Sequence, residues 1–100
     1  MKIGIAIRQV RTKLMIRQGE FASMCSLSQN ALSQIEAGRK TPCSYSINKI
    51  CSALGIPQHL LFILALQEED IAEAKRDAYK MVHPVIADLA LRIANHSMMA

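Results

Sequence analysis

Residues 18–38 read QGEFASMCSLSQNALSQIEAG, and the fold turns on how this stretch is parsed. Phe21, Ala22 and Cys25 recur at helical spacing, and Leu32 and Ile35 do so again after Ser26-Leu27. Ser28 is placed to cap the second helix, because its hydroxyl accepts from a backbone N–H that the first turn leaves without an intrahelical partner. Gly38 stands where a left-handed residue ends that helix. Two helices cross at close range when the first carries a small residue, a sharp turn follows, and apolar side chains in the turn and second helix lock the pair. Ala22, Ser26-Leu27, Leu32 and Ile35 meet those needs in order.

Working outward, Ile3, Ile7, Val10 and Leu14 share one face of a preceding helix that ends near Met15. On the other side, Arg39-Lys40-Thr41-Pro42 is a basic surface loop, and Ser44 or Ser46 caps a fourth helix with Ile47, Ile50, Cys51 and Leu54 on one face and Gly55 at its end. Pro57 suits the first turn of a fifth helix, whose Leu60, Leu61 and Leu64 face inward. Alternation of period two is absent and Val and Thr are few, so strands have no support. The expected fold is all-α: five short helices over residues 3–66, with one or two further helices in 67–100. In that extension Glu68, Glu69, Asp70 and Glu73 crowd a helix start, Ile71, Ala74, Ala78, Met81 and Val82 form an apolar stripe, and Pro84 interrupts before Val85, Ile86, Leu89, Ala90 and Ile93.

A chain of 100 residues, half apolar and one-fifth charged, has enough apolar surface to order itself as a globular protein. The net charge of +4 is unevenly spread. Residues 1–66 carry eight basic against two acidic side chains, and 67–100 carry four against six, so an anionic partner is expected at the first part. Cys25, Cys43 and Cys51 are odd in number with no C-x-x-C pair, which signals neither a disulfide framework nor a zinc site and fits a reducing cytoplasm. The N-terminal run returns to charge too soon for a signal peptide, and the longest apolar stretch, 60–66, falls far short of the ~20 residues that cross a bilayer. His59, His83 and His96 lack ligand spacing, and no hydrolase, zinc-protease, nucleotide-loop or dinucleotide motif occurs, so neither an enzyme nor a cofactor is expected.

Ala22, Leu27-Ser28, Ile35-Glu36-Ala37-Gly38 and the Ile50–Ile56 helix ending together resemble the Cro-like (XRE) helix-turn-helix family, to which the lambdoid phage repressors belong. The resemblance covers about residues 3–66 and implies a compact five-helix DNA-binding bundle with its third helix in the major groove of double-stranded DNA. It places Gln29, Asn30 and Gln34 toward the bases, and amide side chains that donate and accept at once match adenine N6 and N7. It makes Gln18 a phosphate clamp at a helix start, with Arg17, Arg39, Lys40, Thr41 and Ser44 as further phosphate contacts. It also pairs Arg11 with Glu36 as a fold element. Met15 and Ser26 stand where the family commonly has glycine, and Arg17 where it has a Ser, Thr or Asn cap, so the turns at those points are expected to differ locally.

The family's mode of action implies a homodimer on a palindromic operator and repression of transcription. Residues 67–100 are the candidate dimer element, because their apolar stripe exceeds what a 66-residue bundle requires; the plain alternative is that they fold back on the bundle. A rival reading makes the chain a protein-interaction module or antitoxin-type regulator whose 67–100 tail docks a partner protein.

Overall fold

The computed structural model describes residues 2–99, and side chains as far as Asn95. Helices α1 (Ile3–Lys13), α2 (Gln18–Met24), α3 (Gln29–Glu36), α4 (Ser44–Leu54) and α5 (Gln58–Ala65) follow in order. Two single 3-10 turns, Glu68–Asp70 and Glu73–Lys75, then lead into α6 (Arg76–Met99), and no strand occurs among the described residues.

The first four helices close with one hydrogen-bond device. Met15 and Ile16 donate their N–H groups to Thr12 and Arg11, Ser26 and Leu27 to Ser23 and Ala22, Gly38 and Arg39 to Ile35 and Gln34, Gly55 and Ile56 to Ser52 and Cys51. Each ending needs one left-handed residue, and these are Met15 (φ 61°), Ser26 (φ 56°), Gly38 (φ 79°) and Gly55 (φ 73°). Met15 and Ser26 therefore adopt the turn that glycine would, so the expected local departure does not occur. A left-handed L-residue costs roughly 1–2 kcal/mol; the bonded carbonyls and the residue turned inward next offset it. Ile16 and Ile56 are buried and Leu27 is half-buried against the core.

α1 stops at Lys13, with Leu14 as its cap. Ser28 caps α3 as expected, its Oγ accepting from the Ala31 N–H at 3.0 Å. α4 differs: Cys43, extended at φ −77° and ψ 169°, holds the cap position, not Ser44 or Ser46. Pro42 before it is buried. Pro57 likewise stands one residue before α5 as its cap.

Ile7, Phe21, Cys25, Leu32, Ile50, Leu54 and Leu61 are the largest fully buried side chains, drawn from all five bundle helices and the turn after α2. α1 meets the end of α3 so closely at Gly4 that a Cβ there would run into the Ile35 carbonyl. The Lys2 N–H donates to the Ala65 carbonyl at 2.8 Å, fastening the chain start to α5.

The acidic run opens a helix of a single 3-10 turn: the Asp70 carboxylate accepts from the Gln67 N–H at 2.9 Å in a capping box, and the extended Ile71 (φ −109°, ψ 138°) ends the turn. Arg76 Nε then bridges the Glu68 and Ile71 carbonyls at 3.1 and 3.2 Å, and α6 starts there. It runs through Pro84 as one helix. Ala90 and Ala94 are fully buried in the same core as the bundle, and the Tyr79 hydroxyl donates to the Leu66 carbonyl at 2.7 Å. The extension thus folds back along one face, while Met81, Val82, Val85 and Leu89 stay exposed. No single helix among the described residues is long and apolar enough to cross a membrane.

Met15→Gly is expected to raise stability by about 0.5–1 kcal/mol, the left-handed strain removed less the added freedom of the unfolded chain. Gly4→Ala is expected to lower it by about 1–3 kcal/mol through overpacking at Ile35. Urea midpoints at constant slope check both.

Candidate nucleic-acid interface

Arg11 lies on the inner side of α1 and is only 7% exposed; Glu36, the last residue of α3, is 5% exposed. The guanidinium donates from Nε to Glu36 Oε2 at 2.7 Å and from Nη2 to Oε1 at 2.9 Å, while Nη1 reaches the Ile16 carbonyl at 2.8 Å. One side chain thereby ties α1, the turn before α2 and the end of α3 together. Such a two-pronged, charge-assisted contact is among the stronger polar links available in an interior.

The bonding continues outward. Gln18 Nε2 donates to Glu36 Oε1 at 3.1 Å, and Gln18 Oε1 accepts from Gln29 Nε2 at 3.4 Å. Gly19 leaves the space this needs, since a Cβ there would sit 3.3 Å from Gln29 Oε1. A row of side-chain bonds therefore runs from the core to the exposed first turn of α3. Gln18 is half-buried in this row, at the point where α2 begins.

Gln29 and Asn30 are exposed and Gln34 is half-exposed one turn later; Asn30 and Gln34 lie on the side of α3 away from Leu32 and Ile35, and Gln29 on the flank nearest Gln18. Ser33 lies between them at helical spacing; the sequence reading passed over it, although its place three residues after Asn30 is the available signal. Arg39 and Lys40 are exposed directly after α3, and both N–H groups bond to the Gln34 carbonyl, at 2.9 and 3.2 Å. Thr41 and Ser44 are exposed beyond them, Ser44 as the first residue of α4. Arg17 is exposed before α2, with Nε 4.0 Å from Glu20, a spacing too long to hold it firmly. Tyr45, also passed over, stands exposed beside Ser44 and carries the Lys49 ammonium 4.4 Å from its ring centre.

Neither Arg17 nor Cys43 makes a side-chain cap bond, in contrast to Ser28. The first turn of α4 thus lacks an oxygen cap of the Ser28 kind and stands beside a basic loop, an arrangement that favours an anion. Cys43 is exposed there, and its thiol is held below the ordinary range by the Ser46 hydroxyl 3.4 Å away, with the Ser46 backbone adding to it. Burial instead pushes Cys25 up to about 11 and raises Cys51. Of the histidines, His59 is exposed and His83 Nε2 lies 3.4 Å from the Leu64 carbonyl. His96 falls outside the residues whose side chains are described.

A protein-family model described as Helix-turn-helix matches residues 7–57, from the core face of α1 to the residue that caps α5. No curated protein sequence matches the chain.

Glu36→Leu leaves the Arg11 guanidinium buried without its carboxylate, at an expected cost of about 3–5 kcal/mol. Adding Arg11→Met is expected to recover most of that loss. A double variant that loses the sum of what Glu36→Leu and Arg11→Met lose singly in chemical denaturation would show that the two side chains are not coupled.

Proposed function

The chain belongs to this helix-turn-helix family of DNA-binding transcription regulators, and from that membership we propose that it is a cytoplasmic, sequence-specific repressor binding a palindromic operator as a homodimer. The observation that carries the reading is the row of bonds from Arg11 through Glu36 and Gln18 to Gln29, which holds an amide in a set place on the exposed side of α3. α3 enters the major groove, and Gln29, Asn30 and Gln34 meet base edges, each amide able to donate to and accept from adenine at once. Gln18, with Arg17, Arg39, Lys40, Thr41 and Ser44, binds phosphates on either side and sets the depth and angle of entry.

Residues 1–66 carry DNA binding and 67–100 form the extension. A single module of this size gains too little affinity and specificity alone, so two copies occupy half-sites about one helical turn apart, and occlusion of a promoter gives repression. No cofactor enters the scheme. The exposed Met81, Val82, Val85 and Leu89 also favour a second reading, an antitoxin-type regulator whose extension docks a different protein.

With an operator selected from a random duplex library, Gln29→Ala is expected to relax discrimination at one base pair by about 1–3 kcal/mol. Lys40→Ala is expected to weaken all duplexes alike and to flatten the salt dependence by about one unit of slope. Fluorescence anisotropy measures both. Uniform loss for the two variants would break this division of labour, and no duplex binding even at low salt would overturn the DNA-binding reading.

A further inference from the structure

α6 has two faces, and only one is used within the chain. Ala90 and Ala94 are fully buried against the bundle. On the other side Met81 (77% exposed), Val85 (67% exposed), Val82 and Leu89 lie open to solvent. Val82, Val85 and Leu89 follow the three-and-four spacing of a helix-pairing seam, with Met81 beside them. Lone exposed apolar residues are ordinary, but four along one helix form a patch of the kind that marks an interaction surface.

The flanking charges select the occupant. Asp77 and Arg92 stand on the Met81 side of the seam, nearly equidistant in sequence from Val85. If two copies paired in parallel, the two-fold along the helices would carry Asp77 and Arg92 of the second copy to the opposite edge of the seam, and neither charge would meet its complement. With the helices antiparallel about a two-fold axis at Val85, Asp77 of each copy lies opposite Arg92 of the other. Val82 then meets Leu89 of the second copy, and Val85 meets its own symmetry mate. Asp77 has no ion-pair partner among the described residues, while Arg92 Nε bonds Asp88 at 2.8 Å and keeps further donors for a second carboxylate. A surface whose opposite charges meet under a two-fold rotation perpendicular to the helix fits a closed antiparallel dimer.

We propose that α6 is the dimerisation element, pairing antiparallel with α6 of a second copy about Val85, sealed by Val82 and Leu89 and set in direction by Asp77 and Arg92. The inference rests on the homodimer of the preceding section and adds the surface that makes it. From Asp77 to Arg92 the paired stretch is about 22 Å long at ~1.5 Å per residue.

Sedimentation equilibrium of the full chain tests the proposal. The wild type is expected to associate to a dimer, and Val85→Asp, which sets two carboxylates on the axis, to raise the dissociation constant by at least roughly tenfold with unchanged circular dichroism. Asp77→Arg and Arg92→Asp are each expected to weaken the dimer roughly three- to tenfold, and the two together to restore it within about twofold. That rescue is a readout which general damage to α6 does not give. A dimer indifferent to Val85→Asp would overturn this pairing and leave the homodimer of the preceding section standing. A chain monomeric to millimolar concentration would overturn both, and one that gains mass only with a different protein would overturn both in favour of the docking reading.

Discussion

The bond between Arg11 and Glu36 is the contact on which the rest of the arrangement hangs. Burying a guanidinium and a carboxylate is costly unless every prong is met, and here two prongs meet the carboxylate and a third meets the Ile16 carbonyl. Among the described residues no buried side-chain nitrogen or oxygen lacks a hydrogen-bond partner. Because the pair joins α1 to the far end of α3, an apolar replacement of similar volume would keep the bundle filled yet lose the angular control of a forked contact. Glu36 then passes the constraint to Gln18, and Gln18 to Gln29. Core and outer face are in this sense one polar construction, with hydrophobic packing from Phe21, Leu32 and Ile35 around it.

The helix endings supply the second constraint. One device, repeated four times, directs the following residue either inward or outward. After α1, α2 and α4 that residue is Ile16, Leu27 or Ile56 and contributes to the core; after α3 it is Arg39, exposed at the rim. A change of side chain at one position thus turns a core-closing turn into a charged loop without altering the backbone path.

Much of this was legible in the sequence because it is local. The apolar spacing of each bundle helix, the Ser28 cap and the glycines at 38 and 55 follow from chemistry within one or two turns. Met15 and Ser26 were not legible as left-handed positions, because intrinsic preference argues against them and only the tertiary packing of Ile16 and Leu27 overrides it. In the extension four acidic residues suit a helix start, and Glu68–Asp70 does open a capped helical turn, but the chain leaves it at the extended Ile71 and the long helix begins only at Arg76. At the interface, the family resemblance put Gln29, Asn30 and Gln34 on the outward side of α3. The bond from Gln18 to Glu36 spans 18 residues and that from Gln29 to Gln18 spans 11, so local pattern carries no trace of either. Tyr45 escaped notice for the same reason, since its value lies in the lysine stacked on it.

Gln29 is tethered, whereas Asn30 and Gln34 make no side-chain hydrogen bond among the described residues. This inequality bears on how such a surface diverges. A substitution at Gln29 strips a partner from Gln18 and disturbs the polar row behind it, so folding and target choice are under joint selection there. At Asn30 and Gln34 no such intramolecular partner is at stake. On the proposed base-reading role, drift toward new target sequences is therefore cheapest at those two positions, with Gln29 held back as the slow-changing member of the set.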